Sequence, residues 1–189
     1  MAVTMAEITK LRKMTGAGMM DCKNALNEAE GDIDKAMEII RKKGQAVAAK
    51  RSDRDASEGC VLAKADGNFA AIIALTCETD FVANNADFVK LTQDILDLAV
   101  ANKCQTLEEV KALTLGNGTV QDAVTDRSGI TGEKMELDGY MTIEAEYVSV
   151  YNHQGKNQLC TLVGLNKANE AAGKRLAMQV AAMSPIAID

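Results

Sequence analysis

The side chains of this 189-residue sequence that could do chemistry are few: five cysteines, at positions 22, 60, 77, 104 and 160, and a single histidine, His153. No two cysteines form a CxxC pair, and no short spacing would bring two onto one metal. An odd number at irregular intervals also argues against a disulfide framework, so the expectation is five reduced thiols. One histidine rules out two-histidine zinc chemistry and leaves any triad a single possible base. His153 has no serine or cysteine nucleophile beside it and reads, on its own, as a residue of a hairpin turn. Neither a Walker nor a Rossmann glycine pattern is present, so no bound nucleotide, metal or other cofactor is expected. These observations lean away from an enzyme of covalent chemistry and toward a protein that works by contact.

Two segments carry residues suited to contact. The first runs Leu11-Arg12-Lys13-Met14-Thr15-Gly16-Ala17-Gly18-Met19-Met20-Asp21-Cys22-Lys23-Asn24-Ala25-Leu26. Its plain reading is an elbow between two helices, with glycines supplying unusual dihedrals and methionines filling a core. Met19 and Met20 are adjacent, however, so both can hardly face one small core, and an exposed methionine flanked by Arg12 and Lys23 makes an adaptable partner-binding knob. The second segment is Cys77-Glu78-Thr79-Asp80-Phe81-Val82-Ala83-Asn84. Its plain reading has Thr79 capping a helix, Asp80 complementing the helix dipole and Phe81 packing inward. The alternative is a protruding acidic and aromatic tip, in a chain with only 3% aromatic residues.

The elements that must position these residues follow from periodicity and caps. Thr4-Met5-Ala6-Glu7 is a capping box with Val3 and Ile8 as a hydrophobic staple, opening a helix that Gly16-Ala17-Gly18 stops. A second helix starts near Met19 or Asp21 and ends at Gly31. A third is capped by Asp32, buries Ile33, Ala36, Met37 and Ile40, and closes at Gly44. Residues 1–44 thus form a three-helix domain and 45–57 a charged, alanine-rich linker. Apolar runs at 59–64 and 69–76 flank Ala65-Asp66-Gly67-Asn68, a hairpin signal. Phe88, Leu91, Ile95 and Leu98 mark a helix, Thr106-Leu107-Glu108-Glu109 caps a shorter one, and another spans 119–128. Strands at 140–151 and 158–165, joined by a turn at 152–156, then precede a helix at 171–183, with Asn169 suited to cap it, that Ser184-Pro185 ends. Hairpin-then-helix occurs twice, so the expected class is α+β, with core subdomains at 58–138 and 139–189.

Composition sets the class and the surroundings. With 47% hydrophobic and 25% charged residues the chain is globular, with no apolar stretch long enough for a membrane span. Met1-Ala2-Val3-Thr4 lacks the basic and apolar regions of a signal peptide, so a cytoplasmic location is expected. The net charge of -6 divides into +3 for residues 1–54 and -9 for 55–189. Two modules with different surfaces fit that division, and the acidic one is a poor match for nucleic acid.

Taken together, the run from Leu11 to Leu26 and the run from Cys77 to Val82 resemble the two signature regions of the bacterial translation elongation factor Ts family, the guanine-nucleotide exchange factors for the GTPase elongation factor Tu. Tyr151-Asn152-His153 and Leu176-Ala177-Met178-Gln179-Val180-Ala181-Ala182 resemble later segments of the same family. Ala74 and Thr76 depart from it, standing where an acidic residue and an asparagine are usual. The resemblance implies a small three-helix domain similar to ubiquitin-associated domains, followed by a core of two ββα-type subdomains. It also implies that Arg12, Met19, Met20 and Lys23 contact the G domain of elongation factor Tu. Asp80 and Phe81 then wedge beside its magnesium and phosphate site, Thr79 and Val82 are partner-binding neighbours, and His153 is a further contact. The family continues well beyond the helix that ends near Met183, so a fragment or a shortened form is expected. Two other classes compete: a non-catalytic adaptor that docks a ubiquitin-like or helical ligand through the three-helix module, and a thiol enzyme pairing one cysteine with His153.

Overall fold

The chain's polar punctuation sets its first helix. In a computed structural model that describes residues 3–187 apart from Gln154 and Lys156, the Thr4 hydroxyl accepts from the Glu7 amide, and the Glu7 carboxylate accepts from the Thr4 amide at 2.8 Å. Val3 packs on the core that buries Ile8, as a hydrophobic staple would have it. In chain order the elements are α1 (Met5–Thr15), α2 (Met19–Glu28), α3 (Ile33–Lys50), β1 (Glu58–Asp66), β2 (Phe69–Cys77), α4 (Asp80–Ala83) and α5 (Ala86–Ala101). They continue as α6 (Leu107–Ala112), β3 (Thr114–Leu115), β4 (Gly118–Thr119), α7 (Val120–Thr131), β5 (Met135–Glu144), β6 (Tyr147–Asn152), β7 (Cys160–Leu165) and α8 (Glu170–Met183). The class is α+β. Of the expected turn at 152–156, Gln154 and Lys156 lie outside the described residues, as do Met1, Ala2, Ile188 and Asp189.

Two compact units are formed, one of residues 1–55 with 122–135, the other of 56–121 with 136–189. The first has a core of Ile8, Leu11, Ala17, Cys22, Ala25 and Leu26 from α1 and α2, closed by Ala36 of α3. Gly44 does not end α3. The helix continues to Lys50 because Gly44 is buried where α7 crosses: a methyl at Gly44 would lie 3.3 Å from the Gly129 Cα. Arg41, one turn earlier on α3, pairs with Asp122 of α7. Ile130 of the same helix packs on the three-helix core. The helical unit therefore borrows a fourth helix from far along the chain.

In the second unit β1 and β2 pair antiparallel over nine residues, Glu58 opposite Cys77 and Asp66 opposite Phe69. The two turn residues are thus Gly67 and Asn68, one step beyond the Asp-Gly pair. Gly67, at φ +60°, takes the first central position of a type II′ turn, the place where glycine is needed. β5 joins the free side of β2, giving the order β1-β2-β5. The face of this sheet that carries Cys60, Leu62, Ile73 and Leu75 is buried, and α5 packs on it, with Lys64 reaching Asp97 at 2.6 Å.

The expected strand at 140–151 is two strands. β5 ends at Glu144, where Asn68 of the β1–β2 turn accepts from the Ala145 amide at 3.0 Å and donates to Glu144 at 2.8 Å. After that break β6 pairs with β7, Tyr147 opposite Leu165 and Asn152 opposite Cys160. The anticipated boundaries at 44 and 138 accordingly fall inside α3 and β5. α8 lies on β6 and β7, with Gly173 buried under Tyr147 and Ser149, and the Thr161 hydroxyl donates to the Ala177 carbonyl at 2.8 Å.

Candidate functional site

The segment after β2 is a single capped turn built to hold one ring out. Thr79 is extended, and its hydroxyl accepts from the Val82 amide. The Cys77 thiol donates to the Thr79 carbonyl at 3.3 Å, and Asn84 gives both its amides to the Asp80 carbonyl, at 2.9 Å from the backbone and 2.8 Å from the side chain. Asn85 then caps α5 by accepting from the Asp87 amide at 2.9 Å. Ala83 is buried and Val82 half-buried, so the inner side of α4 is anchored. Asp80 is exposed on the outer side, and Phe81 is 86% exposed. The other two phenylalanines, Phe69 and Phe88, are wholly buried. Full burial of such a side chain is worth about 1.5–3 kcal/mol, which this turn forgoes. The inward-packing reading of Phe81 is therefore incorrect.

At the α1–α2 elbow, Gly16 takes φ +72° and donates its amide to the Arg12 carbonyl, ending α1. The Thr15 hydroxyl accepts from the Ala17 amide at 3.2 Å, and the Cys22 thiol lies 3.7 Å from the Ala17 carbonyl, so Ala17 and Cys22 fill the core. The methionines do not. Met19 is 45% and Met20 63% exposed at the start of α2, and Arg12 and Lys23 are exposed as well. Four side chains expected to meet a partner thus sit on the surface of the helical unit, while Thr79, Asp80, Phe81, Val82 and His153 belong to the other.

His153 follows β6 and is half-buried. Its amide donates to the Leu159 carbonyl at 2.9 Å, closing the β6–β7 turn, and its Nδ1 lies 3.0 Å from the Tyr151 hydroxyl. The turn is fastened to β1 by its neighbours. The Asn152 side chain accepts from the Ala63 amide at 2.9 Å and donates to the Ala63 carbonyl at 3.1 Å, and the Val61 amide donates to the Asn157 carbonyl. Val61 stands three residues from Glu58, the partner of Cys77, so about 10 Å of strand separates the turn's footing from the start of the Phe81 segment. Local sequence gives Tyr151 and Asn152 no role, although the two-residue alternation of a strand puts Asn152 and His153 on opposite faces.

All five cysteines are buried thiols outside any disulfide. Burial first, and the nearby Cys60 second, push the Cys160 thiol up to about 12, which is the reverse of what a nucleophile needs. The pairing of a reactive cysteine with His153 has no support in this arrangement.

Comparison with known proteins decides the relationship. The family model described as Elongation factor TS matches residues 78–189. The chain belongs to the elongation factor Ts family. It is 82% identical over 189 residues to Elongation factor Ts of Phocaeicola vulgatus, covering all of this chain and 57% of that protein. It is 78% identical over 190 residues to Elongation factor Ts of Bacteroides thetaiotaomicron, covering 58% of it, and 58% identical to that of Porphyromonas gingivalis, covering 69%. The chain thus spans somewhat more than half the length of the first two elongation factor Ts proteins. The family match begins at Glu78, so it takes in the Phe81 turn and His153, while the methionine elbow lies within the longer alignments to whole elongation factor Ts sequences.

Proposed function

We propose that this chain is a guanine-nucleotide exchange factor for elongation factor Tu in translation elongation, acting in the cytoplasm without covalent chemistry. The observation that carries the reading is Phe81, 86% exposed on a turn capped by Thr79 and closed by Asn84, in a chain of the elongation factor Ts family. A ring held on such a turn acts as a wedge. Packed interiors shift between discrete arrangements when a side chain intrudes, and a displaced phosphate loop or magnesium ligand binds nucleotide less well. By linkage the nucleotide weakens the exchange factor's binding by the same factor, about 1.4 kcal/mol for each tenfold.

In this reading Asp80 and Phe81 enter beside the magnesium and phosphate site of the GTPase, with Thr79 and Val82 fixing their turn. Arg12, Met19, Met20 and Lys23 dock its G domain, the methionines adapting in shape and the cations supplying charge. His153 is a further contact. The test is release of a fluorescent GDP analogue from elongation factor Tu on addition of this chain. Acceleration that Phe81→Ala abolishes is the expected result. Release unchanged by a stoichiometric amount of the chain overturns the activity, and capture of ubiquitin-like ligands in place of the nucleotide-free GTPase would make the chain an adaptor.

A further inference from the structure

Tyr151 and His153 are two residues apart at the end of β6 and so share one face of the strand, the face whose earlier members Tyr147 and Ser149 cover Gly173 of α8. The face between them belongs to Asn152, which is fastened to β1. With the His153 amide bound to Leu159, the backbone is held on both sides, and what remains free is the rotation of the imidazole. The Tyr151 hydroxyl removes that freedom. It lies 3.0 Å from Nδ1, with the two rings 5.7 Å apart and tilted by 60°.

We infer that Tyr151 is a positioning residue for His153: its hydroxyl donates to Nδ1, fixing the ring so that Nε2–H is the donor offered to an oxygen acceptor on the partner GTPase. The Tyr151 hydroxyl has one proton to give, and among the described residues Nδ1 is the one acceptor within its reach; with that nitrogen accepting, the neutral imidazole carries its own proton on Nε2. Nε2 has no hydrogen-bond partner among the described residues. The role at the interface rests on the proposal that His153 is a partner contact, whereas the orientation of the ring does not.

The chain's single histidine makes the test direct. Long-range proton–nitrogen spectra of the free chain, recorded where titration shows the ring neutral, should give Nε2–H alone. In Tyr151→Phe, which removes one hydroxyl from a half-buried ring, an Nδ1–H population should appear and the order parameter of the imidazole carbons should fall. GDP release from elongation factor Tu should slow about threefold to tenfold with that variant, the range of one lost hydrogen bond. Nδ1–H in the unsubstituted chain, or a tautomer and order parameter untouched by Tyr151→Phe, overturns the inference. A ring that loosens with no change in the rate of release overturns its role at the interface, and a chain that releases no GDP at all fails the exchange proposal while leaving the spectra to decide the orientation.

Discussion

A methyl group on Gly129 would stand 2.0 Å from the Cα of Gly44, so α3 and α7 meet backbone to backbone. From the other side the fit is looser, since a methyl on Gly44 meets its nearest atom at 3.3 Å. The two glycines are therefore not equivalent. Alanine at 129 forces the helices apart, at about 1–3 kcal/mol for an overpacked site, while alanine at 44 gains up to ~1 kcal/mol of helix propensity against a smaller clash. Urea midpoints of Gly129→Ala and Gly44→Ala should fall in that order, the first clearly below the unsubstituted chain. Equal midpoints would mean that the crossing tolerates a methyl on either helix.

The Asn152 amide occupies the outer edge of β1 as a strand would, taking the Ala63 amide and carbonyl, and it also accepts from the Cys160 thiol at 2.8 Å. Replacing it with alanine leaves both Ala63 groups and the thiol without that partner. The loss should be about 1–3 kcal/mol, the cost of an unsatisfied buried group. It should appear locally first, as faster hydrogen exchange at the Ala63 amide. Exchange there no faster than in the parent would show that the β6–β7 turn is held by other contacts.

What was readable in the sequence was what neighbouring residues decide. The capping box at Thr4, the Gly16 stop, the β1–β2 hairpin and the α5 period all depend on spacings within a few residues, and each is present. Gly44 has the local signature of a helix terminator, but its partner Gly129 lies 85 positions away and leaves no mark in a local window, so the true end of α3 is not legible there. The same holds for β5: residues 140–144 continue the β-rich pattern of β6, but their partner is β2, and only tertiary pairing separates the two strands. At the site, the adjacency of Met19 and Met20 foretold that one must be exposed, and both are. The direction of the Phe81 ring was open because a capped turn with a phenylalanine at its second position can face either way. Val82 and Ala83 take the inner side here, and that choice depends on the sheet beneath.

Alkaline pH should weaken the fold. Burial raises the Cys160 thiol to about 12, with Cys60 adding to the effect. Burial first, then the proximity of Cys104 and Glu109, raises the Tyr140 phenol as well. In the unfolded chain a thiol ionises near its ordinary value of about 8.5. The unfolded state therefore loses protons that the folded state keeps, and the stability these groups contribute is whole below that value and declines as pH rises toward the folded value. Denaturant midpoints should be level between about pH 6 and 8 and fall between about 9 and 11, less steeply in Cys160→Ala. A profile equally steep in that variant would assign the decline to other groups.

Phe81 and Phe88 are seven residues apart and differ in burial as far as two phenylalanines can in this chain, one 86% exposed and the other at 0%. Phe88 sits in the first turn of α5 with Thr92 behind it, whose hydroxyl donates to the Phe88 carbonyl at 3.0 Å. Its truncation to alanine removes a buried ring and leaves a cavity, which costs about 3–5 kcal/mol. Phe81→Ala removes a ring that touches mostly water, and a surface change of that kind stays within about 0.5 kcal/mol. Equilibrium unfolding of the two variants should differ by several kcal/mol, with Phe81→Ala matching the parent. If Phe81→Ala unfolded as readily as Phe88→Ala, the ring would be part of the core in solution, and the exchange proposal would lose the residue on which it rests.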